Sequence, residues 1–261
     1  MKKRTLLKKL LAAALAALTL LALTACGGGN SIEAIEKKGV MTVATSPDFP
    51  PFESLEAGEI VGIEVEIMEL VAEKLGVDIE FKQMDFESVL PGVQAGKFDV
   101  GMSGITITEK REKNADFTMP YFMASQAIVV TSDSPITCKA DLTGKSISVQ
   151  TGTTAEEYCM ENGYKVQAFQ ANNDASSALT AGKVDAWVVD NEVAVALTAQ
   201  LGGQAKVLDE AMTQEPYAFA FAKGSDSLVE AFNDALSALI DSGEVEEIFD
   251  KYGVPYVGPA K

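Results

Sequence analysis

The sequence predicts an α/β protein built as two α/β lobes joined by a two-strand hinge. Three observations carry that expectation. Apolar strands alternate with amphipathic helices, the pattern of a largely parallel sheet. The alternation pauses near Thr131 and then starts again. A six-residue motif also recurs: Gln94-Ala95-Gly96-Lys97-Phe98-Asp99 is echoed by Thr180-Ala181-Gly182-Lys183-Val184-Asp185. Each copy reads as a helix end, a glycine cap, a lysine on the last carbonyls, and a new strand.

The elements follow in order. Val40 to Thr45 is an apolar, β-branched run and reads as a buried strand. From Val61 to Leu75 apolar residues recur at helical spacing (Ile63, Ile67, Leu70, Val71, Leu75), and Gly76 stops the helix. Val77 to Phe81 reads as a strand, Phe86 to Ala95 as a helix ended by Gly96, and Phe98 to Met102 as a strand. In the second block Ser146 to Gln150 is a strand and Thr153 to Asn162 a helix. Val166 to Phe169, Asp174 to Ala181 and Val184 to Asp190 then give strand, helix and strand. Two extended stretches, Gln126 to Thr131 and Tyr217 to Phe221, are expected to be the crossings between lobes. The last helices, Leu228 to Ile240 and Val245 to Tyr252, are expected to return to the first lobe. The expected division is residues 39–130 plus 222–261 for lobe 1 and 131–221 for lobe 2.

Residues 1–25 read as a leader. Five basic residues (Lys2, Lys3, Arg4, Lys8, Lys9) precede an apolar run from Leu10 to Leu23, which is too short for a spanning helix. Leu23-Thr24-Ala25-Cys26 resembles a bacterial lipobox, which would make Cys26 the lipidated residue, with residues 26–38 as anchor and tether. The chain would then sit on the outer face of the cytoplasmic membrane, attached through lipid alone. Two acyl chains, at ~0.8 kcal/mol per buried CH₂, suffice for stable attachment.

Charge and composition remove several function classes. The full chain carries a net charge of −17, and loss of the leader's five basic residues takes it to −22. A nucleic-acid partner needs a basic face, so that class is excluded. The chain contains no histidine, which excludes Ser-His-Asp and Cys-His catalysis and His-ligated metal sites. No metal and no cofactor is expected. Cys138 and Cys159 remain once Cys26 is committed to lipid, and in an oxidising compartment they suggest a disulfide. A strand followed by a helix folding back along it would bring the two together, although two free cysteines are the alternative.

The residues that carry chemistry lie beyond the carboxyl ends of strands, where open α/β lobes bind ligands. Gly104 allows close approach to backbone, Thr106 supplies a hydroxyl, and Arg111 offers a planar fork suited to a carboxylate. In the second block Asp190 ends an apolar strand and suits an ammonium group. Together they fit the two ends of an α-amino acid. Two plainer readings stand beside these: Arg111 as a surface charge near Glu109 and Glu112, and Asp190 as a helix cap before Asn191.

The stretch GITITEKREKNADFTMPY (Gly104 to Tyr121) resembles the signature of bacterial solute-binding proteins that serve ABC importers of polar amino acids. So do ATSPDFPPFES (Ala44 to Ser54), MDFESVLPGVQAGKFDV (Met84 to Val100), VQTGTTAEEY (Val149 to Tyr158) and AGKVDAWVVDNEVA (Ala181 to Ala194). Gly39 to Gly253 is covered. The resemblance implies a type II periplasmic-binding-protein fold that closes on a free L-amino acid and delivers it to an ABC permease as a monomer. It implies Arg111, Thr106 and Thr154 on the ligand carboxylate. Asp190 and the Gly104 carbonyl would take the ammonium. Phe49 and Phe86 would lie about the side chain, unless they are core, with Ser46 and Gln150 at its far end. Binders of basic amino acids tend to carry aspartate where Ser46 stands, so the expected ligand is neutral or polar. The rival functions are a module for a separate sensor and a cyclohexadienyl-dehydratase-like enzyme on the same fold.

Overall fold

The computed structural model describes residues 31–258. Helix α1 (Ile32–Lys38) is capped by the Ser31 hydroxyl, and Gly39 closes it in the left-handed region. Strand β1 (Val40–Thr45) follows, then a small antiparallel sheet of β2 (Asp48–Phe49), β3 (Glu53–Glu56) and β4 (Glu59–Val61). Helix α2 (Ile63–Leu75) leads to β5 (Asp78–Gln83), and helix α3 (Phe86–Gln94) to β6 (Val100–Gly101). A one-turn helix α4 (Glu109–Glu112) and β7 (Ala115–Phe117) complete this run. The large sheet has the order β5-β1-β6 in parallel, extended by the later strand β15 (Ala220–Ala222) and by β7.

Strand β8 (Phe122–Ala124) leaves this lobe. Then come β9 (Gln126–Thr131), β10 (Ser146–Gln150), α5 (Thr154–Glu161), β11 (Lys165–Phe169), α6 (Asn172–Thr180), β12 (Ala186–Asp190), α7 (Asn191–Gln200) and β13 (Ala205–Val207). Their sheet has the order β11-β10-β12-β9-β13, parallel over its first three strands and antiparallel over the rest. Strand β14 (Glu215–Tyr217) pairs antiparallel with β8, Glu215 facing Ala124 and Tyr217 facing Phe122. Helices α8 (Asp226–Ser242) and α9 (Glu244–Lys251) return the chain to lobe 1, where both pack on α2.

The β8–β14 pair is the hinge, and this shifts the sequence expectation. Gln126 to Thr131 is a strand inside the second sheet, not a crossing. Tyr217 to Phe221 straddles the end of the hinge strand and the start of β15 in the first sheet. Long apolar strands belong in sheet interiors, which are covered on both sides. The crossings themselves are three residues long, and one contains Pro216, so they show no period to read.

Core packing explains the positions of the strands. All of β12 is buried: Trp187 and Val189 join one apolar cluster while Ala186 and Val188 join another. That is the two-residue alternation of a strand covered on both faces. Around the hinge Phe52, Phe122, Tyr217 and Phe249 form an aromatic cluster, with ring centres 5.2 Å apart for Phe52–Tyr217 and 4.7 Å for Phe122–Phe249. The hinge strand pair is therefore seated firmly in lobe 1.

The bridge expected between Cys138 and Cys159 is not formed; both are free thiols. Cys138 precedes a 3₁₀ turn (Lys139–Leu142), its sulfur 3.7 Å from a carboxylate oxygen of Asp141. Cys159 faces inward from α5 among Ile147, Ala186 and Val188, and burial pushes its thiol up to about 12. The turn at Cys138 is held by Asp141 and Glu210, which accept from the backbone N–H groups of Thr137, Cys138 and Lys139. The lipid-anchor reading of Cys26 lies outside the described residues.

Candidate functional site: the cleft between the lobes

The carboxyl ends of both sheets' parallel strands meet at one cleft. The lobes touch across it, so the arrangement is closed. Gln170 Nε2 donates to Glu87 (3.1 Å) and Lys110 pairs with Glu157.

Arg111 does not end a strand. Beyond Gly104 the chain passes Thr106, which is bridged to Tyr217, and reaches Thr108, which caps the one-turn helix α4 by accepting the Arg111 N–H (3.2 Å). From there Arg111 Nη1 donates to the Thr106 carbonyl at 2.9 Å and Nη2 reaches across to the Gly152 carbonyl of lobe 2 at 3.2 Å. Its guanidinium carbon lies 5.7 Å from the centre of the Phe86 ring. Burial pulls the guanidinium below its ordinary value, while Glu157, Glu215 and Asp190 act in the opposite direction.

Asp190 stands at the end of β12 in the capping position of α7, yet its side chain makes no cap bond. Instead it accepts from Gln126 Nε2 at 2.8 Å, and the same amide reaches Thr154 Oγ1 at 3.2 Å. Burial pushes the Asp190 carboxyl well above its ordinary value, Glu215 and Glu192 add to the rise, and Tyr217 and Arg111 oppose it. Glu215 Oε2 and Gln126 Oε1 are buried acceptors with no donor among the described residues.

At the other end lie Ser46 and Gln150, and between them stands a residue the sequence reading missed. Asp48 accepts from Ser46 Oγ (3.0 Å), from Gln150 Nε2 (3.1 Å) and from the Asn172 N–H (2.8 Å). Burial pushes it up and those three donors hold it back. Gln150 is 102 residues away in sequence, so nothing local announces the contact. The DFPPF stretch was visible, but its acid could not be placed.

Gly104 is required by its backbone: φ is 54°, and a Cβ there would sit 2.5 Å from the Phe49 ring. Phe49 thus packs against Gly104, and Phe86 lies against the Arg111 guanidinium. Gly152, at φ 79°, brings lobe 2 against α3: a Cβ would lie 3.0 Å from that of Glu87. The structure so gathers Gly104, Thr106, Arg111, Thr154 and Asp190 at one end of the cleft, and Ser46 and Gln150 at the other. Cys138 and Cys159 are elsewhere. Gln126, Glu215 and Asn172 join the cleft without having been foreseen.

Residues 41–255 match the bacterial extracellular solute-binding proteins, family 3. The chain belongs to that family. It is 36% identical over 253 residues to the arginine-binding extracellular protein ArtP of Bacillus subtilis, covering 94% of this chain and 98% of that one. A crystal structure of a mutant ArgBP from T. maritima superimposes with a TM-score of 0.81 at 36% identity, over 85% of this chain and 98% of that chain. Ancestral arginine-binding proteins solved with arginine and with glutamine are both 40% identical, with TM-scores of 0.78. They cover 82% of this chain and 98% and 97% of theirs. The family member is a two-lobed, extracytoplasmic solute-binding protein, and these relatives are named as binding proteins rather than enzymes.

Proposed function

We propose that this chain is the amino-acid-binding subunit of an ABC importer, anchored by lipid at Cys26, and that its ligand is a basic amino acid, arginine first. The observation that carries the binding role is the placement of opposite charges from the two lobes, Arg111 and Asp190, facing one cleft. Arg111 and Thr106 take the ligand carboxylate with Thr154, and Asp190 takes the ammonium with the Gly104 carbonyl. The unpartnered acceptors on Glu215 and Gln126 support a donor-rich group at that end. Closure turns the stretch between β8 and β14 as one body against the rest, and only the closed state makes both contacts.

The basic preference departs from the neutral ligand the sequence suggested. That suggestion rested on the lack of an acid at the far end, and Asp48 is such an acid. Its hydrogen-bond donors, Ser46, Gln150 and Asn172, are all neutral, and among the described residues no lysine or arginine pairs with it. A guanidinium or ammonium at the tip of a long side chain supplies a cation.

Calorimetric titration with arginine and with citrulline, its neutral near-isostere, tests this. Arginine should bind at least about tenfold tighter, and Asp48→Asn should remove most of that difference. If citrulline or glutamine binds as tightly as arginine to the parent, the ligand is neutral. If no amino acid raises the melting temperature, the binding role itself fails.

A further inference from the structure

Behind the cleft, lobe 1 contains two carboxyl groups that the ligand reading does not use. Glu53 on β3 and Glu64 on α2 are both fully buried. Each holds one piece of the ligand-facing loop after β6. Ser103 Oγ donates to Glu53 Oε1 at 2.8 Å, and the Gly104 N–H donates to Glu64 Oε2 at 2.8 Å. Tyr121 O–H donates to Glu64 Oε1. The Ser103 hydroxyl in turn accepts the Ser46 N–H at 3.1 Å, linking this network to the far end of the cleft. Among the described residues no lysine or arginine pairs with either acid; the other charged or ionisable groups acting on them are Asp48 and Tyr121.

The donor count then fixes the protonation state. Both oxygens of Glu64 already accept. Glu53 Oε1 accepts from Ser103, while Oε2 is buried and has no donor of its own. The two carboxyls are neighbours in this network, fastened to the consecutive residues Ser103 and Gly104, and Glu64 acts on Glu53 both as a charge and as a hydrogen-bond partner. Two buried carboxylates in contact cannot both ionise, and one proton between them satisfies the orphan oxygen. We propose that Glu53 is a neutral carboxylic acid donating its proton to an ionised Glu64, and that this pair positions Ser103 and Gly104 for the ligand. Glu53 and Glu64 are therefore positioning residues. With its N–H committed to Glu64, Gly104 presents only its carbonyl to the cleft, the group suited to an ammonium. Burial and the neighbouring Glu64 both push Glu53 well above the ordinary carboxylate range, as this assignment requires.

The proton assignment stands without any ligand; only its consequence for affinity rests on the binding role proposed above. Glu53→Gln is the decisive variant, because the amide oxygen accepts from Ser103 as Glu53 Oε1 does and the amide N–H₂ donates to Glu64. Infrared difference spectra of parent minus Glu53→Gln at pH 7 should show the C=O stretch of a protonated carboxylic acid. Its absence overturns the assignment whether or not arginine binds. With arginine as the probe, Glu53→Gln should stay within about threefold of the parent, while Glu53→Leu and Glu64→Gln lose about tenfold or more. A Glu53→Gln protein that fails to fold, or that loses as much affinity as Glu64→Gln, also overturns it. The pH dependence has a definite sign. A raised acid pKa contributes stability that is present at low pH and lost as pH rises through the folded value. The parent should therefore lose melting temperature on alkalinisation relative to Glu53→Gln; parallel curves would contradict the proposal.

Discussion

The two lobes are the same framework used twice. Both large sheets run two parallel neighbours around a first strand and then an antiparallel strand contributed after a crossing. The recurring motif seen in the sequence is a real equivalence: Gly96 and Gly182 close their helices at φ 66° and 68°. Three residues on, Asp99 accepts from the Thr42 N–H (2.8 Å) and hydroxyl, and Asp185 accepts from the Ser146 N–H and hydroxyl, both at 2.8 Å. In both lobes an acid so ties the third parallel strand to the first, at the end away from the cleft. At the cleft end the equivalence stops. Lobe 1 supplies a cation on a one-turn helix and a loop fastened to two buried acids; lobe 2 supplies one buried acid and an amide. The difference teaches that the framework is redundant and the chemistry is not, so opposite ends of the same strands should respond to mutation in different currencies, stability at one end and affinity at the other.

The largest expected effect is at the cleft. Arg111→Ala and Asp190→Ala should each weaken arginine binding by roughly 30-fold or more with little change in melting temperature, since losing one partner of a buried charge costs about 2–5 kcal/mol. Arg111→Lys should recover only part, because lysine lacks the planar fork. Comparable losses from the two lobes would support a two-ended clamp; an unaffected Arg111→Ala would place the carboxylate elsewhere. Acidity separates the two ends further. Because Asp190 is raised, it neutralises at a higher pH than an ordinary carboxylate, and ammonium binding should weaken as pH falls toward that value. Calorimetry on Asp190→Asn should show a flatter profile over the same range.

A smaller loss is expected where the lobes touch. Gly152→Ala places a methyl against Glu87 and forces an L side chain to φ 79°. Affinity should fall about fivefold through a costlier closed state. A matching change at Gly182, where nothing lies within 4 Å of a Cβ, should leave affinity alone although its backbone is similarly left-handed.

The smallest effect is at the far end, and it falls on stability. Asp99 is buried and also pairs with Lys38 at 3.0 Å, whereas Asp185 is exposed. Asp99→Asn should cost about 1–3 kcal/mol in denaturant unfolding and Asp185→Asn about 1 kcal/mol or less, neither changing affinity. Burial alone would raise Asp99, but the Thr42 hydrogen bonds and Lys38 outweigh it and hold it below its ordinary value. Its contribution is therefore present at neutral pH and lost as pH falls through that lowered value. Equal costs at the two aspartates would mean that the pairs are equivalent in energy as well as in geometry.

What the sequence disclosed and what it hid divide along the same line. The strands β1 and Ser146–Gln150 were found with their observed bounds, because apolar runs and flanking glycines are local signals. The duplication was readable for the same reason. Asp190 stood out because a charge at the end of an apolar run is a local anomaly, and Arg111 because a planar guanidinium follows the glycine and hydroxyls of Gly104 to Thr108. Asp48, Gln126, Glu53 and Glu64 were hidden, since each has a partner at least 40 residues away, up to 124 for Asp48 and Asn172. The crossings were displaced by several residues because a three-residue strand carries no periodicity. The cysteine pair misled because helix–strand proximity fixes which elements meet, not which way a side chain at a turn points.

The side-by-side pairing of Ala124 and Glu215 at the hinge has one further consequence. The ninety residues between them leave and re-enter the first lobe at neighbouring points, so lobe 2 is, in connectivity, a cassette spliced into a loop of lobe 1. A chain arranged this way can exchange the whole cassette with that of another receptor through two cuts at adjacent strand ends. Recombination could thus renew one half of the cleft while leaving the other half untouched.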